Sequence, residues 1–359
     1  MTSRITIEVA AIALVLASLG LGGVARADAP AEAPTASPAA PEATVTAPDT
    51  GVKKADDAGL GFPVGGSVGL TTSLGRGTVN SGPDHSPYAG LGLSLRPRVR
   101  LPGDLGMSLS LRFDIDAVLV DSAYSFGTER QQLWLSDLLL TYAWADFVKV
   151  ESAGFGVSGS FGLTFPTSLL SQQASKILGL RLGLSAAWEP VGWLSVTYSV
   201  SGTRNFNKYD TAILDDDDFG AARLRRVGGA ESVASGLTAT GAGVTAWALG
   251  NDLEVGFTFL DDFSFTIGFG LLTVWSEKSI PKDRFSSPYS VGGTGRADLM
   301  TGSLALAWEP LDLLAIELGT VVEQAPKTED NARFRFPFWD TTNGAMNRQL
   351  FYLDVTVTL

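Results

Sequence analysis

The chain contains no cysteine and only one histidine among its 359 residues. Without cysteine it cannot form a disulfide, a thiolate metal site or a cysteine lipid anchor. A single histidine also excludes a metal site built on several histidines. Charged residues make up 18% of the chain, whereas soluble proteins usually contain about 25%. The net charge of −12 disfavours nucleic acid as a partner, and neither a metal nor another cofactor is predicted.

The chain also lacks a long apolar run beyond its N-terminal segment, although its mean hydropathy is positive at +0.18. It therefore offers no transmembrane helix in the body of the chain. A β-barrel accounts for both properties, because it shows every second residue to lipid.

The first 27 residues have the features of a signal peptide. Arg4 precedes the apolar stretch 5–21, and Ala25-Arg26-Ala27 forms a small-x-small cleavage site. An uncleaved signal anchor is the alternative. Residues 28–58 are rich in alanine and proline and have no periodicity, which predicts a disordered periplasmic linker. The remainder, residues 59–359, is predicted to be the barrel.

From residue 61 onward, apolar residues alternate with small polar ones. In "FGVSGSFGLTF" (155–165) the apolar residues occupy every second position, and glycine, serine and threonine occupy the others. A period of two predicts strands. The apolar faces suit lipid and the small polar faces suit a lumen. The predicted fold is all-β, a transmembrane antiparallel up-and-down β-barrel.

Short turns at 101–106, 143–150, 187–194, 260–265 and 307–314 alternate with longer loops. That rhythm places the short turns on the periplasmic side. Twelve strands are predicted, with ten or fourteen as alternatives, at 62–74, 89–101, 106–120, 133–144, 154–165, 178–188, 193–204, 248–260, 263–275, 298–308, 313–323 and 348–359.

The sequence Ala-Trp-Glu-Pro occurs twice, at 187–190 and 307–310. Alternation puts Trp188 and Trp308 on the lipid face at the end of a strand, where an indole favours the membrane interface. Trp144 stands in a related position. We predict that the three tryptophans form an interface girdle, and that the following Glu-Pro pairs begin periplasmic turns, since proline cannot donate to a continuing ladder.

The chain ends in "FYLDVTVTL", with apolar residues at alternate positions from Phe351 to Leu359. This resembles the C-terminal insertion signal of Gram-negative outer-membrane proteins, although Leu359 stands where an aromatic residue is usual. The resemblance covers roughly residues 60–359 as architecture and implies an outer-membrane location. It also implies recognition of Phe351–Leu359 by the barrel-insertion machinery. No oligomeric state is predicted.

Alternation also places twelve charged residues on the inward face. The predicted pore-lining residues are Arg96, Arg98, Arg100, Arg112, Asp114, Asp116, Arg181, Asp252, Glu254, Glu317, Glu323 and Asp354. A basic arc on the early strands then opposes an acidic arc on the late ones, which creates a transverse field across a water-filled bore. Alternatively, the same residues form salt bridges that brace and partly fill the lumen.

Two other segments interrupt the alternating pattern. The long loop at 205–247 contains Asp215–Asp218 and Arg223–Arg226. We favour a solvated loop there. In the alternatives, the two clusters fold against each other or over the pore mouth, or the acidic residues bind Ca²⁺, for which the sequence signal is weak. Residues 166–178 suggest a short helix capped by Thr167 or Ser168, within the lumen or on the outer rim.

Passive diffusion of small polar or ionic solutes through a porin-like channel is the leading hypothesis. The second hypothesis is a closed structural or recognition barrel that acts through its outer loops, such as 332–340. A rim hydrolase that uses the lone histidine, His85, is a weaker third hypothesis, because no catalytic motif accompanies it. No catalytic residue is assigned, and the chain is predicted not to be an enzyme.

Overall fold

The computed structural model describes residues 64–80, 85–101, 106–121, 132–215, 221–225, 231–235, 237–260, 262–277, 295–328, 332–339 and 348–359. The predicted signal peptide (1–27) and linker (28–58) lie outside these residues. Within them, no helix is both long enough and apolar enough to span a bilayer.

Seventeen strands occur in the described part of the chain. They are β1 (Val64–Gly75), β2 (Tyr88–Arg100), β3 (Met107–Asp121), β4 (Gln132–Leu135), β5 (Leu138–Val150), β6 (Phe155–Phe165), β7 (Lys176–Val191), β8 (Leu194–Asn207), β9 (Thr211–Asp215), β10 (Ala221–Arg225), β11 (Glu231–Ser235), β12 (Leu237–Gly243), β13 (Thr245–Leu260), β14 (Phe263–Ser276), β15 (Arg296–Leu311), β16 (Leu314–Gln324) and β17 (Gln349–Thr358).

Antiparallel ladders close a barrel with twelve wall positions, as predicted. β4 and β5 both pair with β3 and together occupy one wall position, with a break at Ser136 and Asp137. The barrel closes where β1 pairs with β17, with Thr71 opposite Asp354. β9 to β12 lie outside this wall, and β4 and β5 count as one position, so the seventeen described strands give twelve wall positions, an even number.

The registers give every wall strand one inward and one outward face. Ser185, Ser199 and Asp252 are direct neighbours across β7, β8 and β13, and small polar residues continue this row on one face. The opposite face is apolar and exposed: Leu182 is 63% and Leu318 59% accessible. Large apolar side chains turned outward in this way indicate a lipid-facing wall.

The short hairpins at one end of the barrel, here the short-turn end, correct two sequence predictions. β5 runs on to Val150 by way of an irregularity between Trp144 and Val148, so the predicted turn at 143–150 is largely strand. The turn follows at Glu151–Ala153 and ends at Gly154, whose φ of 59° lies in the left-handed region that glycine tolerates. A hairpin joins β5 and β6 as predicted, but its turn lies later in the sequence.

The Glu-Pro pairs do not begin the turns either. β7 and β15 continue through them, with register shifts after Trp188 and Trp308. The Glu189 N–H donates to Gly154 O (2.8 Å), and the Glu309 N–H donates to Asp262 O (2.9 Å). Proline is tolerated because a bulge needs no ladder donor at that position. Each Ala-Trp-Glu-Pro segment therefore ties its strand to the preceding hairpin.

The segment 205–247 also differs from the favoured prediction of a solvated loop. β8 continues to Asn207, and β9 to β12 then form a four-stranded sheet in the order β11-β10-β12-β9. Asp215 ends β9, and Arg223 and Arg225 lie in β10, while Asp216–Asp218 and Arg226 lie outside the described residues. The sequence pattern did not predict this sheet, because its strands have only five to seven residues each.

The predicted short helix is present at Leu169–Gln173, and Ser168 is its cap. The Ser171 N–H donates to Ser168 Oγ at 3.1 Å. The other candidate cap, Thr167, instead bridges two backbone groups across the β4–β5 break, since its Oγ1 accepts from the Leu138 N–H and donates to Ser136 O.

Candidate functional site: the lumenal wall

The lumenal wall is lined mainly by glycine, serine and threonine. Across β6, β7 and β8 the inward row includes Ser160, Gly183 and Ser201. All twelve sequence-predicted pore-lining residues lie on strands whose register gives them this inward face. Small side chains leave room in the bore, so the charged residues decide its electrostatic character.

The early strands carry the basic part of the wall. Arg98 and Arg100 are exposed near the short-turn end of β2, opposite Ser110 and Ser108. Arg96 shares their face and lies opposite Ser67 of β1. Three arginines therefore occupy alternate positions on the inward face of one strand.

The next strand mixes charges of both signs. Arg112 Nε donates to Asp114 Oδ2 at 2.8 Å, and both side chains are largely buried. Asp116, two residues further up the same face, is exposed. One of the predicted arginines is thus paired with a carboxylate of its own strand, while the Asp116 carboxylate remains accessible.

Two further inward charges lie on β7 and β13, which are two wall positions apart. Arg181 of β7 and Asp252 of β13 are both exposed, and each lies within electrostatic range of the other. Arg181 also lies within range of Arg112, three wall positions away. Inward charges that stay accessible require a solvent-filled space beside them, since a charge packed without water or a partner is strongly unfavourable.

The late strands hold an acidic cluster around a tyrosine. Tyr352 Oη donates to Glu317 Oε1 at 2.6 Å, and both residues are buried. Asp354 accepts from Thr71 Oγ1 and Thr356 Oγ1. Glu254 of β13 lies within electrostatic range of Tyr352. The Glu317 and Asp354 carboxylates therefore accept hydrogen bonds from hydroxyl groups on this side of the wall.

The remaining predicted acid, Glu323, lies higher on β16, opposite Thr301. Sequence reasoning missed Tyr352, although it follows Phe351 in the alternating C-terminal segment and shares the face of Asp354. The signal was available, because any residue on that face points inward. The prediction of pore-lining residues considered only charged side chains, and it therefore omitted this neutral ring, which fills part of the bore.

At the rim of the barrel opposite the short-turn end, Asp137 joins the β4–β5 break to the loop before β7. Its Oδ2 accepts from Ser171 Oγ (2.5 Å) and Lys176 Nζ (2.9 Å), and its Oδ1 accepts from the Ser168 N–H. Burial raises the pKa of Asp137, but the hydrogen bonds from Lys176, Ser171 and Ser168 outweigh it and lower the pKa below its usual value. The cluster fixes the helix 169–173 on the rim.

Aromatic residues mark two levels on the outer wall. Trp188 and Trp308 are exposed near the short turns, and Trp308 stacks on Phe263 with ring centroids 6.0 Å apart. Trp144 packs edge-on against Tyr142 at the same end. The described structure adds an upper level that the sequence analysis missed, at Trp247 and Trp275, which lie opposite each other on β13 and β14.

The upper level is also basic. Arg204 lies over the Trp247 ring at 4.8 Å, and Arg296 lies over the Trp275 ring at 6.0 Å. From Phe263 to Trp275 on β14 is twelve residues, or about 30 Å along the barrel axis at ~3.3 Å per residue and a tilt of ~40°. That separation suits an apolar band about 25 Å tall with a girdle at each edge.

His85 is exposed at the start of the segment that leads into β2. Its Nδ1 lies 3.1 Å from the backbone oxygen of Asn80. The neighbouring Asp84 falls outside the described residues, so the pair that a rim hydrolase would use is not described. No group of three or more potential metal-ligating side chains occurs in the described ranges.

No protein-family model matches the chain, and no curated protein matches it significantly. Solved structures with a similar fold include an outer-membrane channel from Pseudomonas putida F1, with 14% identity and a TM-score of 0.49 over 83% of this chain and 97% of that one. The NanC porin is 10% identical with a TM-score of 0.41, covering 82% of this chain and 98% of its own. The KdgM porin is 12% identical with a TM-score of 0.37, covering 82% and 99%.

These likenesses concern the fold alone. The protein is a closed, twelve-stranded antiparallel β-barrel with an apolar outer wall and a polar, charged inner wall.

Proposed function

We propose that the protein is an outer-membrane channel through which small polar or ionic solutes diffuse passively. One observation carries the proposal: Asp116, Arg181 and Asp252 point inward from three separate strands and are nevertheless exposed. A barrel packed with side chains would bury such charges or pair them. Accessible inward charges instead support a water-filled path.

The proposed selectivity arises from the distribution of charge. Arg96, Arg98, Arg100, Arg112 and Arg181 form the positive wall, and Asp252, Glu254, Glu317 and Asp354 form the negative one. Opposed walls of this kind produce a transverse field that orients and steers polar solutes. The internal pair Arg112–Asp114 weakens the positive side, since its two charges largely cancel.

A closed barrel that acts through its outer surface is the second candidate. It is favoured by the buried side chains of Glu317 and Tyr352, which occupy part of the lumen, and by the additional sheet β9–β12. This candidate predicts no conductance. It also predicts that deletion of the sheet removes a binding activity without changing the barrel.

The proposed channel has no chemical step, no cofactor and no catalytic residue. Its proposed partners are the bilayer, the solutes and the barrel-insertion machinery, which recognises Phe351–Leu359. Export by a cleaved signal peptide at residues 1–27 belongs to the same proposal.

Conductance of the purified, folded protein in planar bilayers tests the channel. Stepwise current increases with a fixed unit conductance are expected. A heat-unfolded sample of the same preparation is the matched control. A folded protein that leaves the bilayer silent at high load would overturn the channel and favour the closed barrel.

A further inference from the structure

The loop between β16 and β17 does not extend away from the barrel over its described length. Residues 332–339, here the outer-wall segment, lie against the outward face of β15. A Cβ atom on Gly302 would collide with the backbone carbonyl of Pro337 and approach the Phe338 ring. The register assigns Gly302 to the same face as Trp308. The segment therefore covers wall that faces lipid elsewhere.

Buried residues beneath the segment confirm how closely it packs. Met300, Val322, Gln324 and Gln349 belong to the outward face, yet none is more than 5% accessible. Gln324 Nε2 donates to Phe336 O at 2.6 Å, which satisfies a backbone carbonyl that would otherwise face an apolar environment. Glycine at position 302 is needed because any side chain would lift the segment off the wall.

The height of the segment can be measured along β15. Above Trp308 the outward face stays free of charge until Asp298, whose Oδ1 accepts from Thr273 and Arg296. Ten residues separate Trp308 from Asp298, about 25 Å along the axis, which matches the height of the apolar band. Gly302 lies six residues above Trp308, or roughly 15 Å. With the short turns on the periplasmic side, the segment lies in the outer leaflet.

The surface that the segment shows to its surroundings is aromatic and basic. Phe334 is 78% accessible, Phe336 58% and Trp339 45%. Arg333 and Lys327 are exposed beside these rings, and Lys327 Nζ lies 5.4 Å from the Phe334 ring centre. Aromatic rings with adjacent basic residues suit the boundary between acyl chains and headgroups.

Arg335 adds a second indication. Its Nε donates to Lys327 O at 3.1 Å. Its Nη1 is buried and finds no hydrogen-bond acceptor among the described residues. Nη1 is enclosed by the protein, so a lipid phosphate would meet the other part of this side chain, which is partly exposed. The planar guanidinium group matches the geometry of phosphate oxygens.

We propose that the outer-wall segment is a binding site for a phosphate-bearing lipid of the outer leaflet. Arg333 and Arg335 contact the phosphate, while Phe334, Phe336 and Trp339 contact the upper acyl chains. The site is separate from the lumen and does not depend on conduction.

Native mass spectrometry of the folded protein tests the site, with phosphatidylglycerol as the anionic probe and phosphatidylcholine as the neutral one. The wild type is expected to retain phosphatidylglycerol preferentially. Arg333→Gln/Arg335→Gln should weaken that binding by roughly 25-fold, since each basic residue near an anionic surface contributes roughly fivefold. Conductance of this variant should be unchanged, which separates failure of this site from failure of the channel.

Gly302→Ala displaces the segment without removing any of its side chains and should weaken phosphatidylglycerol binding similarly. Its matched control is Gly202→Ala, an outward glycine on β8 around which a Cβ meets open space; binding should stay at the wild-type level. The heat-dependent electrophoretic shift of each variant reports whether the barrel is folded.

Three results would overturn the proposal. The first is equal phosphatidylglycerol binding by the wild type and the folded double-arginine variant. The second is displacement of the lipid by inorganic phosphate, which would identify a soluble-anion site. The third is a dimer that dissociates in Phe334→Ser/Phe336→Ser, which would identify the segment as a contact between two copies.

Discussion

Tyr352 Oη and Glu317 Oε1 are joined by a 2.6 Å hydrogen bond inside the barrel, diagonally across the β16–β17 ladder. Gly319 is the residue directly opposite Tyr352, and a Cβ there would collide with the phenol ring. Glycine thus lets the ring lie across β16 and reach the carboxylate. The hydrogen bond therefore depends on the absence of a side chain at Gly319 as well as on Tyr352 and Glu317.

Removal of this hydroxyl should destabilise the barrel. Tyr352→Phe leaves a buried Glu317 oxygen without its donor, and a loss of about 1–3 kcal/mol in the free energy of unfolding is expected. Urea unfolding in lipid vesicles, followed by electrophoretic mobility, measures it. Tyr142→Phe is the control, because the Tyr142 hydroxyl donates only to a thioether sulfur, a weak acceptor. Equal losses in both variants would contradict the expectation.

The exposed inward charges should control ion selectivity. Arg181→Gln is expected to shift the reversal potential in a KCl gradient toward cations, and Asp252→Asn to shift it toward anions. Each change in the cation-to-anion ratio should be at most roughly fivefold, since one charge at close range in water contributes about 1 kcal/mol. Shifts in the same direction for both variants would show that neither residue faces the ion path.

The rim cluster should make stability depend on pH in a defined direction. The pKa of Asp137 is lowered in the folded protein, so its contribution is complete above the unfolded pKa of about 4. That contribution is lost as the pH falls through the lower, folded value. Asp137→Asn should be less stable than the wild type at neutral pH, and the difference should shrink in acid. Urea unfolding of both proteins across this pH range measures it, and a gap that widens in acid would reverse the assigned sign.

The Trp308–Phe263 stack should stabilise the periplasmic end of the barrel. Trp308→Ala removes a stacked ring at the membrane interface, and a loss of about 2–3 kcal/mol is expected. Trp308→Phe keeps an aromatic ring opposite Phe263 and should cost less than about 1 kcal/mol. Unfolding in vesicles compares the two variants. Equal costs would show that ring stacking contributes little there.

Alternation was a reliable guide to the wall because each wall strand meets lipid on one side and water or small side chains on the other. In β6 this contrast covers the whole strand, and its predicted start and end differ from the observed ones by at most one residue. β5 was harder, because polar and apolar residues mix after Trp144 where the ladder is irregular. An alternating pattern predicts a strand only where the two faces of that strand meet different environments. The prediction fails where both faces meet the same environment.

Two other features depend on contacts that no local pattern contains. The short strands of the sheet β9–β12 pair with one another rather than with the wall. The contact between Gly302 and Pro337 joins positions distant in the chain and depends on one absent side chain. The inward orientation of charges such as Arg181 follows from alternation along the strand. The pairing of Arg112 with Asp114 depends on side-chain conformation, which alternation does not specify.

The pairing of β1 with β17 has a consequence for biosynthesis. Thr71 and Asp354, which share a hydrogen bond across that ladder, are 283 residues apart. Most other wall strands pair with a strand that is adjacent in the sequence and is synthesised next. β1 pairs with β17, which is the last strand to be synthesised. Until then the sheet has two unpaired edges, which attract other chains. A chain that lacks β17 therefore leaves two edges of the sheet unpaired, and completion of the ring removes both of them.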